Sequence, residues 1–185
     1  MNLRARRWRV VSAGAVIGAV LAVASPAWAH VDIDPSSKPR GSSVVFGFRV
    51  PNEEQGAATT RLDVQFPTDH PFLNVLVEDK PGWTFTTQIG PLPKPVTTDD
   101  GTFTTAVTEV TWMVTAGGGV PPGAFERFNV LATTPSSGTK VTFKAIQTYS
   151  NGDVVRWIET PVKGAPKPEN PAPVLTLTKA PPSGG

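Results

Sequence analysis

The sequence predicts an all-β fold, an immunoglobulin-like or cupredoxin-like β-sandwich of about eight or nine strands. Three observations predict it. Apolar and polar residues alternate with period two after residue 30, no stretch carries a sustained helical stripe, and the alternating runs are short and bounded by Gly, Pro, Asn and Asp.

The runs follow one another at short intervals. After a first candidate strand at residues 30–34, Val44, Phe46, Phe48 and Val50 share one face against Val45, Gly47 and Arg49. Leu62, Val64 and Phe66 do the same against Arg61, Asp63 and Gln65. Further strands are expected at 73–77, 83–89, 106–114, 125–132, 140–149 and 154–159. Ser150-Asn151-Gly152-Asp153 should join the last two as a hairpin, because Asn-Gly tolerates the positive φ of a tight turn. The alternation Val141, Phe143, Ala145 breaks at Ile146, which suggests a bulge. Pro91, Pro93 and Pro95 make residues 90–100 read as a stiff loop. From Gly164 onward, Pro166, Pro168, Pro171, Pro173, Pro181 and Pro182 predict an extended tail over 164–185, with an edge strand available at 174–178. The sandwich domain is therefore expected over 30–163.

Residues 1–29 have the three zones of a secretory signal. Arg4, Arg6, Arg7 and Arg9 form a basic start, residues 10–24 an apolar run, and Ala27-Trp28-Ala29 a small-x-small cleavage site. The run falls short of the about 18 apolar residues of a spanning helix, and the pair Arg6-Arg7 admits twin-arginine export beside the general route. Cleavage after Ala29 would leave 156 of the 185 residues, beginning with His30. It would also remove four arginines and no acids, leaving 13 basic against 15 acidic side chains and a formal charge of −2. The basic pI thus belongs to the leader, and no basic patch remains for nucleic acid. No later segment is apolar enough to anchor the product in a membrane, so it is expected outside the cytoplasm, secreted or held at the cell envelope.

Cysteine is absent. That excludes thiolate metal sites, iron–sulfur clusters and cysteine nucleophiles, and leaves nitrogen and oxygen as the donors. Gly117-Gly118-Gly119 leads into Val-Pro-Pro rather than a Lys-Ser/Thr helix start, so it is no phosphate loop. A terminal histidine, by contrast, is a chelator: its α-amine and imidazole Nδ1 can close a six-membered ring on one metal ion. Amines and imidazoles lose their protons near neutral pH, so a divalent cation there displaces few of them. Nitrogen and carboxylate donors in a tetragonal arrangement favour Cu(II). The competing reading is that His30 merely follows the cleavage site.

Five blocks in order carry a family resemblance: His30-Val31-Asp32-Ile33; Phe48-Arg49-Val50-Pro51-Asn52-Glu53; Pro81-Gly82-Trp83; Val110-Thr111-Trp112 followed by Gly118-Gly119-Val120-Pro121-Pro122-Gly123; and Tyr149-Ser150-Asn151-Gly152-Asp153-Val154-Val155-Arg156-Trp157. Over residues 30 to about 159 the chain resembles the YcnI-like family of secreted copper-binding domains. The resemblance implies a β-sandwich that holds Cu(II) in a single-histidine brace, made of the amine and ring of the first residue and a glutamate, with a tryptophan close by. Carried over, these are His30, Glu53 and Trp157. Glu54 and Asp32 are rival carboxylates, whose commoner fate is to face water.

The resulting expectation is a non-enzymatic Cu(II) protein of copper acquisition, buffering or delivery, with a membrane copper transporter or another copper carrier as partner. Met113 is the only methionine after Met1, so soft ligands for Cu(I) are lacking. An oxidase or polysaccharide oxygenase would need a third nitrogen, for which His70 is the candidate; its setting in Asp69-His70-Pro71 reads as a solvated turn. An immunoglobulin-like interaction domain with an incidental histidine is the third possibility, since sandwiches host all three roles.

Overall fold

The computed structural model describes residues 30–180. The expected leader, residues 1–29, lies outside them, as do Pro181 and Pro182. Among the described residues the chain forms β1 (Asp32–Asp34), β2 (Ser37–Pro39), β3 (Ser43–Pro51), β4 (Thr59–Gln65), β5 (Leu73–Val77), β6 (Trp83–Thr98), β7 (Gly101–Val114), β8 (Phe125–Thr133), β9 (Lys140–Thr142), β10 (Lys144–Tyr149), β11 (Val154–Trp157) and β12 (Val174–Thr178). One sheet has the order β1-β3-β8-β5, a second β11-β10-β4-β7-β6, and a short third β2-β12-β9.

The two larger sheets pack through the inward set of the period-two pattern. Phe48 of β3 and Phe128 of β8 meet the Trp112 indole of β7 with ring centroids 6.3 and 5.4 Å apart. Phe66 and Phe143 meet edge to face at 5.2 Å, the geometry that aromatic quadrupoles favour. Trp83 and Trp112 are both buried in this core.

Phe143 marks where the chain leaves the third sheet, where β9 pairs with β12, for the second, where β10 pairs with β4 and β11. The inward row is not broken at Ile146. Val141, Phe143, Ala145, Gln147 and Tyr149 are all buried, and the shift of register against β4 falls later, between Thr148 and Tyr149. A polar residue, Gln147, simply occupies an inward place. The expected hairpin joins β10 and β11, closed by hydrogen bonds from the Tyr149 N–H to the Asp153 carbonyl (2.9 Å) and from the Gly152 N–H to the Tyr149 carbonyl (3.0 Å). Gly152 alone supplies the positive φ, 91°, at a turn position where a side chain would be strained.

Two segments differ from expectation. Residues 90–98 are strand, the continuation of β6. β6 lies at the edge of its sheet, where proline's missing N–H removes no ladder bond, and its pairing with β7 skips from Pro91 to Val96. Residues 174–178, within the expected tail, form β12 between β2 and β9 rather than an edge, parallel to β2 and antiparallel to β9. Leu175 and Leu177 enter the common core.

Leu175 is fully buried, so Leu175→Ala should cost about 2–5 kcal/mol, read as a lower denaturant midpoint. An unchanged midpoint would show that 174–178 lies outside the cooperative core.

Candidate functional site

β1 pairs antiparallel with β3 in the register Asp32↔Arg49, Ile33↔Phe48, Asp34↔Gly47. Continued beyond β1, that register sets His30 across from Pro51, the last residue of β3. Val31 and Ile33 are buried, so His30 shares the opposite face with Asp32. The half-buried His30 ring meets the Trp157 indole edge-on, with 5.8 Å between centroids and 64° between planes.

Trp157 ends β11, opposite Ala145 of β10. Its indole is buried, and its Nε1–H donates to Oε1 of Gln147 at 3.0 Å. Gln147 is itself 0% exposed. Its Nε2 donates to the Pro51 carbonyl at 2.9 Å and to Oγ1 of Thr59 at 2.8 Å. One amide therefore ties the indole beside His30 to the carbonyl of Pro51, the last residue of β3.

Beyond Pro51 the chain turns about a second buried amide. Asn52 Nδ2 donates to the carbonyls of Ala57 (2.8 Å) and Val120 (2.7 Å), while its Oδ1 accepts the Glu54 N–H at 2.9 Å. This turn leaves Glu53 exposed and Glu54 half-buried, so the two adjacent carboxylates occupy different surroundings. Tyr149, the only tyrosine of the chain, is buried close to both. Burial first, then the charge of Glu54 and then that of Glu53, push its phenol up to about 12.

Of the other candidates, Asp32 shares the face of His30 and His70 lies apart. Asp32 is ion-paired with Arg49 at 2.8 Å. His70 sits 3.3 Å from the Asp69 carboxylate and lines a hollow of about 540 Å³ with Leu73, Asp99, Asp100 and Thr133. Thr133 pairs with Ser43, at the other end of β3 from Pro51. Eight strand steps of about 3.3 Å separate those ends, about 26 Å in all. The structure thus brings His30 and Trp157 together, links the indole through Gln147 to Pro51, and leaves His70 at the far end of the sandwich. Among the described residues no three His, Cys, Asp or Glu side chains are grouped to hold a metal ion. A site of one imidazole, one carboxylate and one main-chain amine needs fewer side chains than that.

Gln147, Asn52 and Tyr149 were not singled out from the sequence. The signal for Gln147 was present in the period-two row it shares with Ala145 and Tyr149, where an inward polar residue demands partners.

A family model described as a domain of unknown function, DUF1775, matches residues 30–177. The copper-binding protein CutI of Bacillus subtilis (strain 168) is 31% identical over 143 residues, covering 77% of this chain and 62% of CutI. The chain thus spans about three fifths of that relative's length. A crystal structure of an uncharacterized protein from Nocardia farcinica, described as having an immunoglobulin-like fold, is 37% identical with a TM-score of 0.65, over 81% of this chain and 99% of that one. The fold is accordingly an immunoglobulin-like β-sandwich.

Ultraviolet titration should place the ionisation of Tyr149 at about 12 in the folded chain and at the ordinary phenol value of 10.0 in the unfolded one. Below the lower value both states keep the proton. Between the two values only the unfolded chain releases it, so stability falls as pH rises through that window. Ionisation at the ordinary value in the folded chain would show that the phenol is open to water.

Proposed function

This chain belongs to the DUF1775 family, and we propose that it is an extracytoplasmic Cu(II)-binding protein whose metal is held in a single-histidine brace by His30 and Glu53. The observation that carries the reading is the His30 ring packed on Trp157, whose indole is tied through Gln147 to the Pro51 carbonyl two residues before Glu53. The similarity to CutI, a copper-binding protein, supports copper as the cargo.

The chemistry begins with export. While His30 is joined to Ala29 its nitrogen is an amide, whose lone pair is delocalised into the carbonyl and binds metal poorly. Cleavage turns that nitrogen into an amine beside Nδ1 of the same residue, and the two close a six-membered chelate. Glu53 supplies the oxygen donor from the Asn52 turn. Trp157 has no lone pair to offer; it covers one side of the histidine, limits water and fixes the ring plane. Two nitrogens and an oxygen, with neither thiol nor thioether, suit Cu(II) rather than Cu(I).

The protein is read as a binder rather than an enzyme, serving copper acquisition, buffering or delivery. A site at the chain terminus is easily reached by a membrane copper transporter or another carrier. Placement outside the cytoplasm rests on the basic, apolar and small-residue zones of residues 1–29. Among the described residues no helix is long and apolar enough to cross a membrane.

Copper titration of a chain beginning at His30, beside one beginning Met-His30, tests the brace. Acylating the amine should weaken Cu(II) binding by more than the roughly 10–100-fold that loss of an outer-shell partner costs. Glu53→Gln should weaken it and Glu54→Gln should leave it intact. Equal affinity of the two chain starts would overturn the brace.

A further inference from the structure

Gln147 hydrogen-bonds both the indole beside His30 and the last carbonyl of β3, at Trp157 Nε1 and the Pro51 oxygen. Its burial is complete, and a third bond, to Thr59 Oγ1, uses the remaining amide proton. An amide without water must find its partners inside the protein, and leaving one unmet costs free energy. The side chain is therefore held in one orientation, with Oε1 toward the indole and Nε2 toward β3 and β4. The reverse orientation would set an N–H against the indole N–H and the carbonyl oxygen against that of Pro51.

We infer that Gln147 is a positioning residue for the copper site: it fixes the Trp157 indole against the His30 ring and locks both to the end of β3 from which Glu53 departs. The inference rests on the copper reading above for its metal part, whereas the ring pairing stands without metal. The role is positional because Gln147 lies beneath the indole with no exposed surface and is not offered as a ligand. A brace of one histidine and one carboxylate depends on such support, since its donors come from the chain start before β1 and from the turn after β3, while the covering indole comes from β11.

The test uses the chain beginning at His30 in five forms: unaltered, Gln147→Met, Trp157→Phe, the double variant and Gln147→Glu. Three tryptophans remain in that chain, Trp83, Trp112 and Trp157, and loss of one indole resonance in Trp157→Phe identifies the relevant N–H. In the unaltered chain that proton should exchange slowly and the His30 ring protons should carry a ring-current shift. In Gln147→Met, which keeps the length of the side chain, both signatures should fade and Cu(II) affinity should fall about 10–100-fold. In the Trp157→Phe background the same change should cost affinity much less, because the partner through which it acts is already gone. Gln147→Glu, whose neutral buried carboxyl still accepts from the indole and donates once, should restore most of the affinity.

Wild-type copper affinity in Gln147→Met, or an equal loss with and without Trp157, overturns the positioning role. Should Gln147→Met fail to fold, the unaltered chain still decides: fast exchange of the Trp157 indole proton, or an unshifted His30 ring, overturns the inference without any variant. Failure of the unaltered chain to bind Cu(II) overturns the copper reading and the metal part of this inference with it, and the exchange and ring-current data then judge the ring pairing alone.

Discussion

A glutamine side chain sealed from water must meet all its hydrogen bonds within the protein, and at Gln147 that single requirement joins four strands. It sits on β10, accepts from Trp157 on β11, and donates to Pro51 on β3 and Thr59 on β4. β10, β11 and β4 belong to one sheet and β3 to the other. The bond to Pro51 is thus a polar rivet between layers that otherwise meet through apolar side chains. Each such bond contributes about 0.5–1.5 kcal/mol net, yet orphaning one of its partners costs about 1–3 kcal/mol. That asymmetry gives the rivet its power to set orientation. Trp112 is a useful contrast: its Nε1 is buried without a hydrogen-bond partner, and it serves as a packing residue between Phe48 and Phe128.

The rim around His30 repeats the device. Asn52, also buried, spends its amide on two carbonyls and its oxygen on the Glu54 N–H. The strand end thereby becomes a defined turn, with Glu53 in solvent and Glu54 partly withdrawn toward Tyr149. Rigid support below and open carboxylate above suit the copper binding and release proposed for this rim. Such a site gains affinity from preorganisation rather than from many ligands.

Much of this fold was legible from period two alone. The runs around Phe46 and Leu62 are strands with the inward faces expected of them, those around Trp112 and Phe128 are strands as expected, and the Asn-Gly turn closes the hairpin where local chemistry said it should. Reading failed where pairing is non-local. Pro91, Pro93 and Pro95 read as loop until β6 is known to be an edge, and 174–178 reads as tail until β2, near the start of the domain, is seen beside it. The bulge expected at Ile146 is absent because Gln147 continues the inward row, its polar partners Pro51 and Thr59 lying far away in sequence. For the site, His30 came from the cleavage signal, while Glu53 and Trp157 came from family resemblance rather than spacing, because the ring pair joins the chain start before β1 to β11. No local pattern encodes such a contact.

In the proposed reading, these features serve a histidine whose metal binding depends on a bond being cut. Electron paramagnetic resonance of the Cu(II)-loaded chain beginning at His30 would measure this most directly, because superhyperfine splitting counts the nitrogens on the metal. The account predicts two, from the amine and the ring of one residue. A spectrum showing three or more nitrogens, or a single imidazole nitrogen with no amine, would contradict it.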